Sequence, residues 1–259
     1  MIPYKSIAVG TCLCVVSAVG QNPATDKYRE LSQQVYVRQA TNASIPGPGD
    51  SDKTESSVKQ LHDAVTATIL SAVAKPGATS FSVRQAIVEL QGDESLGKEY
   101  PETQMPVTDL TNVNGVPMLM AGFAVMSGGI GIPDIRSYVQ FYSLASGSWK
   151  LLQEVGSDFR GTAFSVSAMK SPQLGQAWYF VWGVKIGDSG ARLRAQLYAF
   201  NGVLAKKLWE RDDLKGGHAT ASSDRIVLEY FEFSPEGTRL PPIPKVEVFR
   251  PTANGLERE

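Results

Sequence analysis

The spacing of apolar residues changes character along the chain. Over residues 55–74, Val58, Leu61, Val65, Ile69 and Val73 recur at three- and four-residue intervals, which places them on one helical face. Pro76-Gly77 follows as a stop. Over 83–91, Val83, Ala86, Ile87 and Leu90 share a second helical face, with Ser80 or Ser82 as cap and Gly92 past the end. Residues 28–37 carry a shorter apolar series compatible with a short helix. From about residue 107 the period falls to two. Aromatic and β-branched runs, punctuated by Gly, Asn, Asp and Pro, predict strands over 118–126, 138–144, 149–155, 163–169, 177–186, 193–200, 205–211, 225–233 and 245–250. Residues 93–106 are polar, carry Gly97, Pro101 and Pro106, and form the seam between the two regimes.

The strand region repeats. At an offset of 56, Gln140, Tyr142, Lys150, Leu152, Glu154, Gly161 and Ala163 fall on Gln196, Tyr198, Lys206, Leu208, Glu210, Gly217 and Ala219. Gln-x-Tyr and Lys-x-Leu-x-Glu alternate with period two, so each marks one face of a strand. Ser146-Gly147 and Asn201-Gly202 lie between them as hairpin turns. A weaker third copy begins at Val246-Glu247-Val248-Phe249, which aligns with Ala195-Gln196-Leu197-Tyr198, and Asn254-Gly255 turns the chain into a last strand over 256–258. The unit is three or four antiparallel strands, repeated about every 50–56 residues, a period that suits propeller-like blades or stacked sheets.

Leu197-Tyr198-Ala199-Phe200-Asn201-Gly202 followed by Lys207-Leu208-Trp209-Glu210 resembles the hairpin of a quinoprotein-type β-propeller blade. The resemblance implies a propeller-like scaffold, used in that family for quinone-dependent oxidation or for protein binding. Leu151-Leu152-Gln153 lacks the Trp in the first copy, and no quinone- or metal-binding residue carries over. Three units are fewer than the four to eight blades of a closed ring. The expected fold class is therefore mainly β: antiparallel repeated hairpins forming a partial or small β-propeller-like unit, or a curved sheet or sandwich, with a small helical N-terminal part.

The first twenty residues read differently from the rest. Lys5 precedes an uncharged run over 6–20, and Ala18-Val19-Gly20 offers small residues for a peptidase. This is the pattern of a secretory signal, and the run is short of the roughly 20 residues that span a bilayer. The expected organisation is a signal peptide over 1–20, a polar, partly disordered segment over 21–55 with a linker at 44–54, a small helical region over 56–106 and a β-rich repeat domain over 107–259. The expected location is secreted or periplasmic, with no stable membrane span after cleavage.

Composition then narrows the chemistry. Of 259 residues, 25 are Lys or Arg and 26 are Asp or Glu, so the whole chain is near neutral and carries no overall electrostatic footprint for nucleic acid. Both cysteines, Cys12 and Cys14, lie in the leader, and the two histidines are His62 and His218. No cofactor or metal site is expected from this inventory. His62 falls one place beyond core-facing Leu61 and is expected at an exposed helix position. His218, with Asp212 and Asp213 shortly before it, is the candidate catalytic set, since catalysis of the Ser/His/Asp type needs a His that reaches a carboxylate. Asp158, Glu229 and Glu232 are further carboxylates. Arg192, Arg194 and Arg211 read as solvated strand cations. Trp178, Tyr179, Trp182, Tyr230, Phe231 and Phe233 are aromatic positions divided between core and contact surface. Gly128-Gly129-Ile130-Gly131 follows a strand rather than preceding a helix, so it reads as an inter-strand loop and not as a phosphate cradle.

This inventory points to a non-enzymatic binding or interaction module whose partner is another envelope or extracellular protein or a glycan. The alternatives are a secreted hydrolase or oxidoreductase on a propeller-like scaffold, and a structural envelope component.

Overall fold

A computed structural model describes residues 23–41, 50–92, 106–128, 134–145, 147–156, 159–161, 163–187, 190–233, 241–253 and 255–259. The expected signal segment over 1–20, residues 44–49 of the expected linker, most of the seam, Asp158 and residues 129–133 of the glycine-rich stretch lie outside the described residues.

Three helices come first: α1 (Pro23–Thr41), α2 (Asp50–Val73) and α3 (Ser80–Gln91). On α2, Val58, Leu61, Val65, Ile69 and Val73 are all buried, as their spacing predicts. Pro76-Gly77 follow its end at Val73, and Gly77 adopts φ 73°, a conformation that costs other residues strain. Thr79 caps α3: its hydroxyl accepts from the Ser82 backbone N–H, and the Ser82 hydroxyl accepts from the Thr79 N–H. Two expectations are corrected here. Residues 23–41 form a helix of five turns rather than a short piece, because no Pro or Gly interrupts the chain after Pro23 and Tyr28, Leu31 and Val35 find a common surface. Residues 50–54, taken above as linker, belong to α2, since the helix breakers stop at Gly49.

The strands form three antiparallel meanders. The first sheet runs β1 (Val107–Val113), β2 (Val116–Gly128), β3 (Asp134–Ala145), β4 (Ser148–Val155), with β5 (Arg160–Gly161) paired to β3. The second runs β6 (Ala163–Met169), β7 (Ala177–Gly187), β8 (Gly190–Phe200), β9 (Ala205–Lys215). The third runs β10 (His218–Ala221), β11 (Ile226–Glu232), β12 (Ile243–Thr252), β13 (Gly255–Arg258). The fold is mainly β, and the described strands close neither a barrel nor a propeller.

The layers stack in chain order. One core lies between the helices and the first sheet, joining Leu61, Val65 and Ile69 to Leu119, Phe123 and Tyr142. A second joins Met120, Val139 and Phe141 of the first sheet to Phe164, Tyr179 and Phe200 of the second. A third joins Trp178, Phe180 and Leu197 to Ile226, Leu228 and Phe249 of the third. Strand alternation explains this sharing: on β3, Tyr142 faces the helices while Val139 and Phe141 face the second sheet. Trp178, Tyr179 and Trp182 are therefore core, whereas Phe231 and Phe233 remain 42% and 48% exposed.

The repeated glycines mark the passages between layers. A Cβ on Gly161 would lie 2.0 Å from the Val184 carbonyl oxygen, and one on Gly217 would lie 2.5 Å from Leu193 Cβ. Both glycines sit where the chain leaves one sheet to begin the next, and a side chain there would force the layers apart.

Candidate functional site

The helical layer carries an open cavity of about 580 Å³ between α1, α2 and α3. Tyr28, Leu31, Ala64, Ala67, Ala86 and Leu90 give it an apolar floor, and Lys27, Asp63, Lys75 and Glu89 stand around it. The small residues Ala64, Ala67 and Ala72 on α2 leave the space that larger side chains would fill. Tyr28 is buried, which pushes its phenol up to about 12, and its hydroxyl accepts from Gln91 Nε2 at 3.1 Å. Gln91 also donates to the Ala124 carbonyl at 2.8 Å, so the polar end of Tyr28 is tied to the first sheet.

Behind this cavity, α2 is fastened to the first sheet by polar contacts. His62, expected on the exposed side of the helix, is instead only 19% exposed at its side chain. Its ring lies 4.6 Å from the Tyr138 ring and 5.9 Å from the Phe123 ring. Nε2 is 2.6 Å from Glu154 Oε2 and Nδ1 is 3.1 Å from Asp63 Oδ1. Burial disfavours the charged imidazole, but the two carboxylates outweigh it and raise its pKa above the ordinary value. Glu154 is likewise disfavoured as an anion by burial, yet hydrogen bonds from His62 and Gln140 hold its carboxyl below the usual range. One end of α2 is fixed by a bidentate pair between Arg136 and Glu55.

Glu154 is also the end of a chain of side chains. The Tyr142 hydroxyl donates to Gln140 Oε1, and Gln140 Nε2 donates to Glu154 Oε2 at 2.6 Å and to Thr66 Oγ1 at 2.9 Å. The same chain recurs 56 residues later. The Tyr198 hydroxyl donates to Gln196 Oε1 at 2.6 Å, and Gln196 Nε2 donates to Glu210 Oε1 at 2.5 Å. In the third sheet Glu247 takes the glutamine's place and Phe249 the tyrosine's. Glu247 is 3% exposed and accepts from Arg211 at 2.8 and 2.9 Å, with Arg258 2.9 Å away. A buried polar residue at one place on the third strand of each sheet thus meets a partner from the next strand. The repeated Gln, Tyr and Glu positions are a buried hydrogen-bond device that ties the third strand to the fourth within the first two sheets, and in the first and third sheets it reaches the preceding layer through Thr66 and Arg211.

The catalytic candidates are distributed differently. Asp212 receives Arg194 Nε and Nη2 at 2.9 and 2.5 Å, and Asp213 is paired with Arg192. The cations expected to be solvated, Arg192, Arg194 and Arg211, are all engaged by carboxylates, because the repeated hairpins set β8 beside β9 and the third sheet beside both. His218 packs edge-on against Trp182 at 5.3 Å and lies across from Glu229 in the β10–β11 register. No hydrogen bond joins His218 to Asp212 or Asp213 among the described residues. The residues missed above are His62 with Glu154, and Tyr28 with its groove. The repeat already singled out Glu154, but nothing in the sequence indicated that α2 would deliver His62 to it. No group of His, Cys, Asp and Glu suited to a metal ion occurs among the described residues. No family model, no curated protein and no solved structure matches the chain.

Proposed function

We propose that the protein is a non-enzymatic binding module that works outside the cytoplasm, and that the groove on its helical layer is where it takes its ligand. The groove carries this reading. Its volume, about 580 Å³, falls in the range of small-molecule sites, and an apolar floor with a few polar groups at the edge is the usual composition of such sites. The polar rim holds both Lys27 and Lys75 and the acids Asp63 and Glu89, which suits an amphipathic molecule with an apolar body and a polar or charged head. The leader over residues 1–20 supports export. The polar contacts of α2 with the first sheet, Arg136 with Glu55 and His62 with Glu154, join the two layers, which argues for a rigid scaffold under the groove.

Native mass spectrometry of the protein purified from its own source tests the reading, with Ala67→Trp as the filled-groove variant. A small molecule should stay with the unmodified protein and be lost from the variant at unchanged thermal stability. A bare chain from both preparations, or a ligand retained equally by both, refutes the groove as the binding site.

A further inference from the structure

The antiparallel meanders send the turns β1–β2, β3–β4, β6–β7, β8–β9, β10–β11 and β12–β13 to one end of the stack. Contacts between turns confirm that the sheets share this direction. Asn114 Nδ2 in the β1–β2 turn donates to the Gly175 carbonyl at 3.2 Å and to the Asn201 carbonyl at 3.5 Å. Gln173 Nε2 donates to the Ala253 carbonyl at 2.7 Å, and the Lys170 N–H to the Ser223 carbonyl at 2.5 Å. One side chain, Asn114, therefore holds the β6–β7 and β8–β9 turns together.

Those two turns carry the two most exposed aliphatic residues of the described chain, Leu174 and Val203, with Leu204 beside Val203. Leu174 is 102% exposed, Val203 75% and Leu204 57%. Three large apolar side chains projecting from neighbouring pinned turn tips are costly in water, and apolar surface grouped in this way marks an interaction site. Charge is segregated around them although the whole chain is near neutral. Within three residues of the turns of the first two sheets stand Lys150, Lys170, Lys206 and Lys207, with no Asp or Glu. Lys207 is paired with Glu210, whereas Lys150, Lys170 and Lys206 make no ion pair among the described residues. In the third sheet the corresponding cations, Arg225 and Arg250, are held by Glu259. The uncompensated lysines thus lie around the exposed aliphatics and not elsewhere on this end.

We propose that this end of the first two sheets docks on an anionic lipid surface. Leu174, Val203 and Leu204 enter the boundary between headgroups and acyl chains, and the lysines reach the phosphates. The dimensions agree on the β8–β9 hairpin: Lys206 stands two and three positions from Leu204 and Val203, about 7–10 Å at strand rise, and an interfacial apolar group lies about 5–10 Å deep. Lysine stems are long enough to keep their charge at headgroup level while the tips insert. The tips project as separate knobs without aromatic anchors, which fits a deformable lipid surface better than a shaped protein pocket. This surface is distinct from the groove and does not depend on it.

Sedimentation of the full chain with vesicles provides the test, using phosphatidylcholine alone or mixed with phosphatidylglycerol at about three to one. The chain should pellet with the anionic vesicles at low salt and be released as salt rises. Leu174→Ser with Val203→Ser and Leu204→Ser should lower partitioning at least tenfold, and Lys150→Gln with Lys170→Gln and Lys206→Gln about a hundredfold, roughly fivefold per lysine. Phe81→Ser, which removes a side chain 73% exposed on α3, should leave it unchanged. In a separate readout, Leu174→Trp should add emission that shifts to the blue on anionic vesicles and is quenched by brominated lipid. The proposal is overturned by undiminished binding of both triple variants, whatever other segment holds the chain to the vesicle, or by equal binding to neutral and anionic vesicles. Absence of binding at low salt together with concentration-dependent self-association lost in the serine variant would assign the tips to a protein contact and overturn it as well.

Discussion

His62→Phe keeps a ring against Tyr138 and Phe123 but removes the cation that faces Glu154. A hydrogen bond to a charged group contributes about 1.5–3 kcal/mol, and the side chains are 19% and 28% exposed, so partial screening brings the expected cost to about 2 kcal/mol near pH 5.5. For a chain of this size that lowers the melting temperature by roughly 4–8 °C. The pH dependence is the sharper measurement. The pKa of His62 is raised on folding, so its contribution is fully present below the unfolded value, about 6.5, and disappears as pH rises through the higher folded value. The pKa of Glu154 is lowered, so its contribution is present above about 4.5 and disappears as pH falls through the lower folded value. Asp63 shares the sign of Glu154, chiefly through Lys59 with a smaller part from His62. The stability difference between the unmodified chain and His62→Phe should therefore be largest near pH 5–6 and shrink by pH 8.5. Glu154→Gln should show coupling to His62→Phe in a double-mutant cycle followed by circular dichroism melting. A difference independent of pH between 5.5 and 8.5, or strict additivity of the two substitutions, would refute the assignment of an ionised pair at this junction.

Other parts of the scaffold give separate measurements. Gly161→Ala should lower the urea midpoint by an amount equivalent to about 2–4 kcal/mol, because the neighbouring atoms are the backbone of Val184 and Lys185 and cannot swing aside. Tyr198→Phe should cost about 1 kcal/mol by leaving Gln196 Oε1 without its donor, measured in the same titration. Glu247→Ala should cost about 2 kcal/mol in thermal melting, whereas Arg258→Ala, on a side chain 60% exposed, should cost less than about 1 kcal/mol. An equal effect of these last two would show that Glu247 does not depend on Arg211.

The division into helices and antiparallel strands was legible because it rests on local spacing. Ala163–Met169 has the bounds its alternation predicts, and the buried face of α2 is the set Val58, Leu61, Val65, Ile69 and Val73. The strands β1 and β10 were not anticipated. β1 is polar at Thr108, Asp109, Thr111 and Asn112, although Asn114-Gly115, both at positive φ, is the turn signal that could have revealed it. β10 has only four residues and is defined by its pairing with β11. The repeat located Gln140, Tyr142 and Glu154 but not their purpose, because alternation assigns residues to faces without saying what covers each face. His62 was misplaced for the same reason: α2 lies across a sheet on one side and opens to the groove on the other, so a position next to Leu61 can still be covered. Arg194 and Arg211 looked solvated because their partners come from a bulged neighbouring strand and from a sheet some 36 residues away.

The stack needs different solutions at its two ends, and the Gln position shows how they arise. In the first two sheets the Gln–Glu chain opens toward the preceding layer, which is α2 for Gln140 and the first sheet for Gln196. The helices therefore occupy the place that a sheet would hold before the first one, and His62 and Thr66 supply polar partners there. In the third sheet the outward side pairs Thr220 with Val227, Glu229 with Val246 and Arg250 with Glu257. A further sheet packed there would have to bury Glu229 and Arg250, and desolvating those charges opposes continued stacking. Mixed polarity at the last sheet is what a terminal unit requires for solubility. Two changes, Glu229→Val with Arg250→Val, remove this protection, and they should raise self-association in light scattering above that of the unmodified chain, with the helical layer intact by circular dichroism. Equal scattering by the two chains at high concentration would show that the stack is closed by shape rather than by the charges on its last face.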